Sequence, residues 1–353
     1  MRITLRLLLI GFMILFTAPL FAREKSDVII LKNGDRITCE IKGLNEGVLS
    51  IGVDYVDGTV SVDWAKVARL ESHQLFVVIS QDGSSYEGTL NTTETTAGQP
   101  TKIQVTEAAN SKPEMEMPQI VKVTQTSEKF YRRFNGSISL GITYSKGNSA
   151  TQYNFGTDTT YLRERWSAEA SYSSNLSSST GSTTSTRNQL GLRAYHLLPW
   201  DNYFYGGQGG LLQSSVQGIK LQTTVGGGIG HFFKNTNSAS IAVLGGLGWQ
   251  SIEYKQSAIP QARQNVAAAL IAAEVKFFKF DKTNLTATAN VLPALSDLGR
   301  IRIDSNATYY LKLFSNLSWN VSFYDSWDNR PPPGFSGSDY GTSSGVSWTF
   351  GNR

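Results

Sequence analysis

Residues able to do covalent or acid–base chemistry are few and scattered. Three histidines (His73, His196 and His231) and one cysteine (Cys39) occur in 353 residues. Nucleophilic catalysis needs a Ser or Cys beside a base that a third polar group orients. His196 shares the parity of Leu192 and Ala194, and His231 that of Val225 and Ile229. That parity turns both rings toward the apolar side of a sheet, at the strand ends, where an amphipathic ring sits well. His73 belongs to another region. Serine-rich stretches supply hydroxyls without a G-x-S-x-G phrase, and this set of histidines and cysteine has no metal-ligand spacing. No catalytic residue, metal ligand or cofactor site is therefore assigned.

A second set of residues is active through charge. Asp158, Glu169, Arg193, Glu274, Lys276, Arg302 and Asp304 alternate with apolar neighbours and point to the opposite face. Such a row lines the lumen of a closed barrel. Two arrangements fit it. The acids and bases pair across the interior and plug it, or they border a water-filled path for small polar solutes.

The elements that would position these charges are strands of period two. Ile301, Ile303, Ala307, Tyr309, Leu311 and Leu313 share one face, with Arg302, Asp304, Asn306, Thr308, Tyr310 and Lys312 on the other. Leu317, Trp319, Val321 and Phe323 oppose Ser318, Asn320 and Ser322 in the same way. Strands are expected from Phe134 to Tyr144, over 153–161, 166–176 and 190–196, and near 203–213, 219–233, 239–253, 263–277, 283–293, 300–313, 316–327 and 339–350. That makes twelve, an even number. Their connections alternate between long (145–150, 177–185, 254–262, 328–338) and short (163–165, 199–202, 234–238, 278–282, 314–315). Outer-membrane barrels have short periplasmic turns and longer outer loops, and hydrocarbon tolerates no open sheet edge. Phe134, Tyr144, Tyr161, Trp166, Trp249, Tyr309, Trp319, Trp348 and Phe350 fall near strand ends, as interfacial girdles do. The fold class is all-β: a closed antiparallel twelve-stranded barrel with a small N-terminal β domain.

Composition agrees. Charged residues are 17% of the chain, with 33 glycines, 17 Phe, 15 Tyr and 7 Trp. No stretch after residue 22 approaches the ~20 apolar residues of a membrane helix. A formal charge of +4 gives no footprint for nucleic acid. Residues 1–22 (MRITLRLLLIGFMILFTAPLFA) read as a signal peptide, with Arg2 and Arg6 before an apolar core and cleavage after Ala22. Gly206-Gly207, Gly209-Gly210, Gly226-Gly227-Gly228 and Gly230 lie inside alternating strands rather than between strand and helix. They therefore read as strand curvature, with a protomer interface as the alternative, and not as a phosphate cradle.

Residues 27–90 read as the small periplasmic β domain. Val28–Leu31, the turn Asn33-Gly34-Asp35 and alternating Ile37, Cys39 and Ile41 are weakly echoed by Phe76–Ile79, Gln81-Asp82-Gly83 and Tyr86. Tyr55, Trp64, Phe76 and Tyr86 are the candidate binding surface of this domain. Residues 91–130 read as a linker with one or two strands, and 131–353 as the barrel.

The phrase FNGSISLGITYSKGNSATQYNFG and the Arg-Trp strand after it resemble the salt-induced outer-membrane protein family, over roughly residues 134–350. LKNGDRITCEI and VSVDWAKVARLES are similar to phrases of other exported proteins. The resemblance implies a signal followed by a barrel and carries no catalytic residues. Barrels of this kind usually end on an aromatic residue that the assembly machinery recognises, whereas here Gly351, Asn352 and Arg353 follow Phe350.

The expected location is the outer membrane of a Gram-negative bacterium, with the N-terminal domain in the periplasm. Expected partners are outer-membrane lipid, the barrel assembly machinery, and peptidoglycan or a periplasmic protein; no nucleic acid and no cofactor is expected. The leading function is passive permeation of small polar solutes or envelope maintenance under stress. The alternatives are a structural anchor or periplasmic binding module with a sealed barrel, and a lipid-modifying barrel enzyme.

Overall fold

The computed structural model describes residues 25–56, 58–93, 101–107, 113–126, 134–145, 150–163, 165–178, 184–199, 201–255, 263–279, 283–314 and 316–350. The signal segment expected over 1–22 and the three residues after Phe350 lie outside them.

Nine strands build the first unit: β1 (Asp27–Leu31), β2 (Arg36–Asn45), β3 (Val48–Gly52), β4 (Val60–Asp63), β5 (Val67–Ser80), β6 (Ser85–Thr92), β7 (Lys102–Glu107), β8 (Glu114–Glu116) and β9 (Ile120–Gln125). They run in the order β4-β3-β2-β1-β5-β6-β7-β8, and β9 pairs with both β2 and β5. The first half of β5 pairs with β1 and the second half with β9. Single 3-10 turns, Trp64–Lys66 and Met117–Gln119, lead into β5 and β9 respectively. The echo seen in sequence is thus a fuller repeat of hairpin, two further strands, 3-10 turn and strand, with β5 shared. The Trp64 indole donates to the Met117 carbonyl at 3.0 Å and ties the two copies together.

Two expectations are corrected here. Residues 91–130 are more than a linker: β7, β8 and β9 complete the sheet, and Ile103, Val105, Met115, Met117, Ile120 and Val123 enter its core. A unit ending at residue 90 would lack those core residues. Trp64 and Phe76 are no binding surface either, being 5% and 0% exposed in the same core. Tyr86 packs against that core, and only Tyr55 of the four stands free, at 78% exposure.

Twelve further strands follow: β10 (Phe134–Ser145), β11 (Ala150–Leu162), β12 (Trp166–Ser178), β13 (Ser185–Leu197), β14 (Tyr203–Ser214), β15 (Ile219–Asn235), β16 (Ala239–Tyr254), β17 (Arg263–Lys279), β18 (Thr283–Pro293), β19 (Ile301–Phe314), β20 (Leu317–Asp328) and β21 (Ser338–Phe350). Each pairs antiparallel with its sequence neighbours, and β21 closes onto β10 in a barrel. This is the architecture the alternation of faces and connection lengths predicts. Among the described residues the closing pair joins Gly136–Leu140 to Phe350–Val346 through five partners, whereas every other barrel pair joins nine or more.

The glycines of β14, β15 and β16 bring backbones close together. Gly228 and Gly246 face each other, and a Cβ on Gly246 would lie 2.0 Å from the Gly227 carbonyl oxygen. Backbone cannot yield as a side chain end can, so a methyl there forces the strands apart. At Gly245, one residue away, a methyl would meet nothing within 4 Å. Gly246→Ala is therefore expected to cost about 3 kcal/mol and Gly245→Ala less than about 0.5 kcal/mol, measured by urea unfolding of the detergent-folded protein.

Cys39 is 0% exposed in the core of the first unit. Burial, then the nearby Asp27 and Glu40 charges, push its thiol from 9.0 up to about 12. A neutral folded thiol contributes stability in full below pH 9.0, and that contribution is lost as pH rises toward about 12. At pH 8 a disulfide reagent should label native protein at least ~1,000-fold more slowly than urea-unfolded protein, because the thiolate is the reactive form.

Candidate functional site

The strand alternation sorts the barrel's two surfaces. Leu140, Ile142, Leu192, Val225, Ile229 and Leu247 face outward at 50–72% exposure. An apolar belt of this extent is far larger than the patches soluble monomers leave in water. Aromatic rings cluster at the rim nearer the first unit. Trp166 meets His196 at 4.7 Å, His196 stacks on Tyr205 at 5.0 Å, and His231 lies 4.6 Å from Tyr203 and 4.9 Å from Phe233. Both strand histidines therefore belong to the outer aromatic rim. Among the described residues, no three His, Cys, Asp or Glu side chains converge as a metal group would.

The first unit docks into the nearer mouth. Its Val77, Ile79 and Val121 pack against the inward-facing Leu197, Phe204 and Ala242. Short barrel turns hold its hairpins by hydrogen bonds. The Asn202 backbone N–H donates to the Asp82 carbonyl at 3.0 Å, and its side chain donates to the Gln81 carbonyl at 2.9 Å. Asn237 donates to the Ile120 carbonyl at 2.8 Å, Asn284 to Glu46 at 2.7 Å, and Lys312 to Ser61 at 2.8 Å. The Gly83 turn, at φ +82°, sits so close that a Cβ would lie 2.8 Å from Asn202 Oδ1. Ser80 and the Ser84 backbone hydrogen-bond the Asp82 carboxylate. Burial opposes its ionisation, but those bonds prevail and hold its carboxyl below the usual range.

A chamber of about 460 Å³ remains between the docked unit and the barrel wall. Asp158, Glu169, Arg193, Glu274 and Lys276 all line it, on the face that parity assigns. Arg193 on β13 reaches Glu274 on β17 at 3.1 Å, across the inside of the glycine-rich strands, and Lys276 meets the same carboxylate at 2.8 Å. Asp158 accepts from Ser137. A second chamber of about 280 Å³ lies farther from the docked unit and shares Asp158, Ser171, Arg193, Thr288, Thr308 and Tyr310 with the first.

Charged residues cross the far end of the lumen. Arg187 on β13 donates to Asp339 on β21 at 3.1 Å and lies 4.6 Å over the Tyr324 ring. Ser214 donates to the same Asp339 carboxylate, and Gln217 to the Ser326 carbonyl at 2.9 Å. Beside this group, Arg300 grips both oxygens of Asp328, at 3.1 and 2.7 Å. Arg302 also meets Asp328, and it donates to Gln222 at 2.6 Å and to the Tyr254 hydroxyl at 3.0 Å. Asp304 accepts from Ser326. Arg187, Arg300, Arg302, Asp328 and Asp339 are each 4–6% exposed.

Parity thus puts Arg302 and Asp304 inside, but Arg302 is bound up in a buried cluster and does not border open water. Arg187, Arg300, Asp328 and Asp339 are the residues missed. Arg187 shares the parity of Arg193, and Asp328 that of Asp304's strand partner Ser326, so a signal existed. It is lost when the strand is started at 190 and when 328–338 is taken as loop.

The family described as "Protein of unknown function, DUF481" matches residues 138–350, more than half of the chain. The chain belongs to this family. No curated protein sequence matches it. Among solved structures it is similar to the COG4313 outer membrane channel from Pseudomonas putida F1, at 11% identity over 62% of this chain and 94% of that one, with a TM-score of 0.35. It is also similar to the translocator domain of the autotransporter NalP from Neisseria meningitidis, at 12% identity over 62% and 87%, with a TM-score of 0.33.

Removing one member of a buried ion cluster leaves its partners charged and unpaired. Asp328→Ala strands two guanidinium groups and should destabilise the folded barrel by about 3–5 kcal/mol. Arg193→Ala breaks a pair whose arginine is 41% exposed, so solvent screening keeps its cost below about 1 kcal/mol. Urea titration followed by tryptophan fluorescence separates the two.

Proposed function

We propose that this member of the DUF481 family spans the outer membrane of a Gram-negative bacterium as a barrel with a sealed lumen, and presents its nine-stranded domain at the periplasmic mouth. The function is that of an anchored binding module, rather than an open pore. The observation that carries this reading is the pair of buried ion clusters across the far end, Arg187–Asp339 and Arg300/Arg302–Asp328. Water-filled pores leave their charges hydrated, whereas these are buried and paired with one another.

The membrane assignment rests on the outward apolar belt, the rim aromatics and the closed backbone ladder. Short turns lie on the side of the docked domain, between β11 and β12, β15 and β16, and β17 and β18. In outer-membrane barrels that side is periplasmic. Peptidoglycan or a periplasmic protein is then the partner of the domain's outer surface, where Tyr55 stands exposed. Phe350 at the end of β21 serves recognition by the assembly machinery.

Passive permeation of small polar solutes is the second reading, favoured by the two adjoining chambers with their hydroxyl and charged linings. Catalysis on lipid ranks third, since His196 and His231 sit among aromatic rings outside the lumen. Planar-bilayer recording tests the order. Purified wild-type protein should give no conductance steps above bare lipid, and the double variant Arg187→Ala/Asp339→Ala should open. Stable wild-type openings would move permeation to first place.

A further inference from the structure

The lumens of membrane barrels are polar, but one stretch of this inner wall is not. On β13 to β17 the inward positions include Tyr195, Phe204, Phe232, Leu244, Leu270 and Ala272. Part of this apolar surface is already used. Phe204 packs with Ala242 against Val77, Ile79 and Val121 of the docked unit, and Leu270 packs with Ala268 and Leu292. The remainder borders a slot of about 90 Å³, lined by the same six side chains. Glycine leaves the room for it. The register row Gly206, Gly228 and Gly246 carries no side chain across β14, β15 and β16. On β15 that row separates Gly230, under the Phe204 ring, from Gly226, under Leu270.

The slot adjoins the 460 Å³ chamber, with which it shares Glu169, Arg193, Glu274 and Thr288. An apolar recess thus meets polar groups at one boundary, the arrangement small-molecule sites have. The charges there balance. Glu169 lies opposite Arg193 in the β12–β13 register, and Glu274 holds both Arg193 and Lys276, two acids to two bases. An ion entering beside them would bring a charge with no counterpart. The neutral groups of the boundary have capacity to spare. Gln208 donates through Nε2 to Asn290 Oδ1 at 3.3 Å, which leaves an acceptor on the Gln208 amide and a donor on the Asn290 amide. A hydroxyl, being both donor and acceptor, suits such a pair.

We propose that the glycine-floored slot inside β13 to β17 is a binding site for a small uncharged molecule, whose hydrocarbon end fills the slot and whose hydroxyl or amide end meets Gln208 and Asn290. Apolar walls that face unfilled space forfeit dispersion contacts, which the hydrocarbon end restores. The slot, at about 90 Å³, is smaller than the ~150 Å³ apolar cavity that encloses a benzene molecule. It therefore takes a hydrocarbon end no larger than one ring, with the polar end left at the chamber. The site lies in the barrel wall and is separate from the outer surface of the docked domain.

Fluorine NMR of para-fluorobenzyl alcohol tests this with the full chain folded in detergent, empty micelles supplying the baseline. Ala272→Leu and Leu244→Phe each fill the slot with a side chain, and heat-modifiable gel mobility confirms that they fold. Wild-type protein should broaden the ligand line at least about threefold more than either filled variant. Excess unlabelled benzyl alcohol should narrow the wild-type line again, a readout that needs no variant. Para-fluorobenzoate and para-fluorobenzylammonium, of the same shape but charged, should be broadened at least about threefold less than the alcohol. No broadening beyond empty micelles overturns the site. Equal broadening by wild type and a folded filled variant also overturns it, because the probe then sits elsewhere. A wild-type line that excess benzyl alcohol leaves broad does the same. Equal broadening of the alcohol and either charged probe overturns the uncharged class of ligand.

Discussion

A strand whose outer face is apolar must satisfy its backbone within its own sheet, because no water is there to bond it. Twelve strands meet that demand by closing on themselves. Closure divides the side chains absolutely. Leu247 and Ile229 stay outside, and Arg187 and Glu274 stay inside, with no register that mixes them, since a slip of one residue exchanges the faces. Everything polar in the lumen then has to find a partner in a space of fixed width. The two ion clusters and the chamber charges are the outcome. Along the distal part of the β10–β21 seam the ladder stops at Leu140 among the described residues, and the Gln152 side chain donates to the Thr342 carbonyl there.

Glycine sets the shape of that space. Where Gly228 faces Gly246, the backbones approach more closely than any Cβ permits. Phe204 lies over Gly230 and Leu270 over Gly226, so large side chains fill the room that the small ones leave. Arg193 of β13 meets Glu274 of β17 across the inner face, with three strands intervening.

The docked domain is held at the near mouth through a different balance of forces. Three aliphatic side chains on β5 and β9 bury themselves against aromatic and aliphatic residues of the inner wall, while asparagines on the short turns bond domain carbonyls. Apolar contact supplies the attraction and the asparagines fix the orientation, since each accepts only one placement of the facing hairpin. The chamber enclosed between them is walled jointly by both units.

Much of this was legible in the sequence. Period-two alternation in residues 301–313 and 317–323, and the alternation of long and short connections, determine a closed twelve-stranded barrel, because both are local consequences of a sheet with unlike faces. The same parity placed Asp158, Glu169, Arg193, Glu274, Lys276, Arg302 and Asp304 inside and the two strand histidines outside. Tertiary structure alone decided which charges meet. Arg187 and Asp339 are 152 residues apart, and nothing local reveals that closure of the barrel brings them together. It also decided that Trp64 and Phe76 are core rather than surface, that residues 102–125 complete the first domain, and that the last strand pairs with the first over only part of its length. Periodicity fixes the direction of a side chain, whereas the distance to its partner depends on how the whole sheet curves.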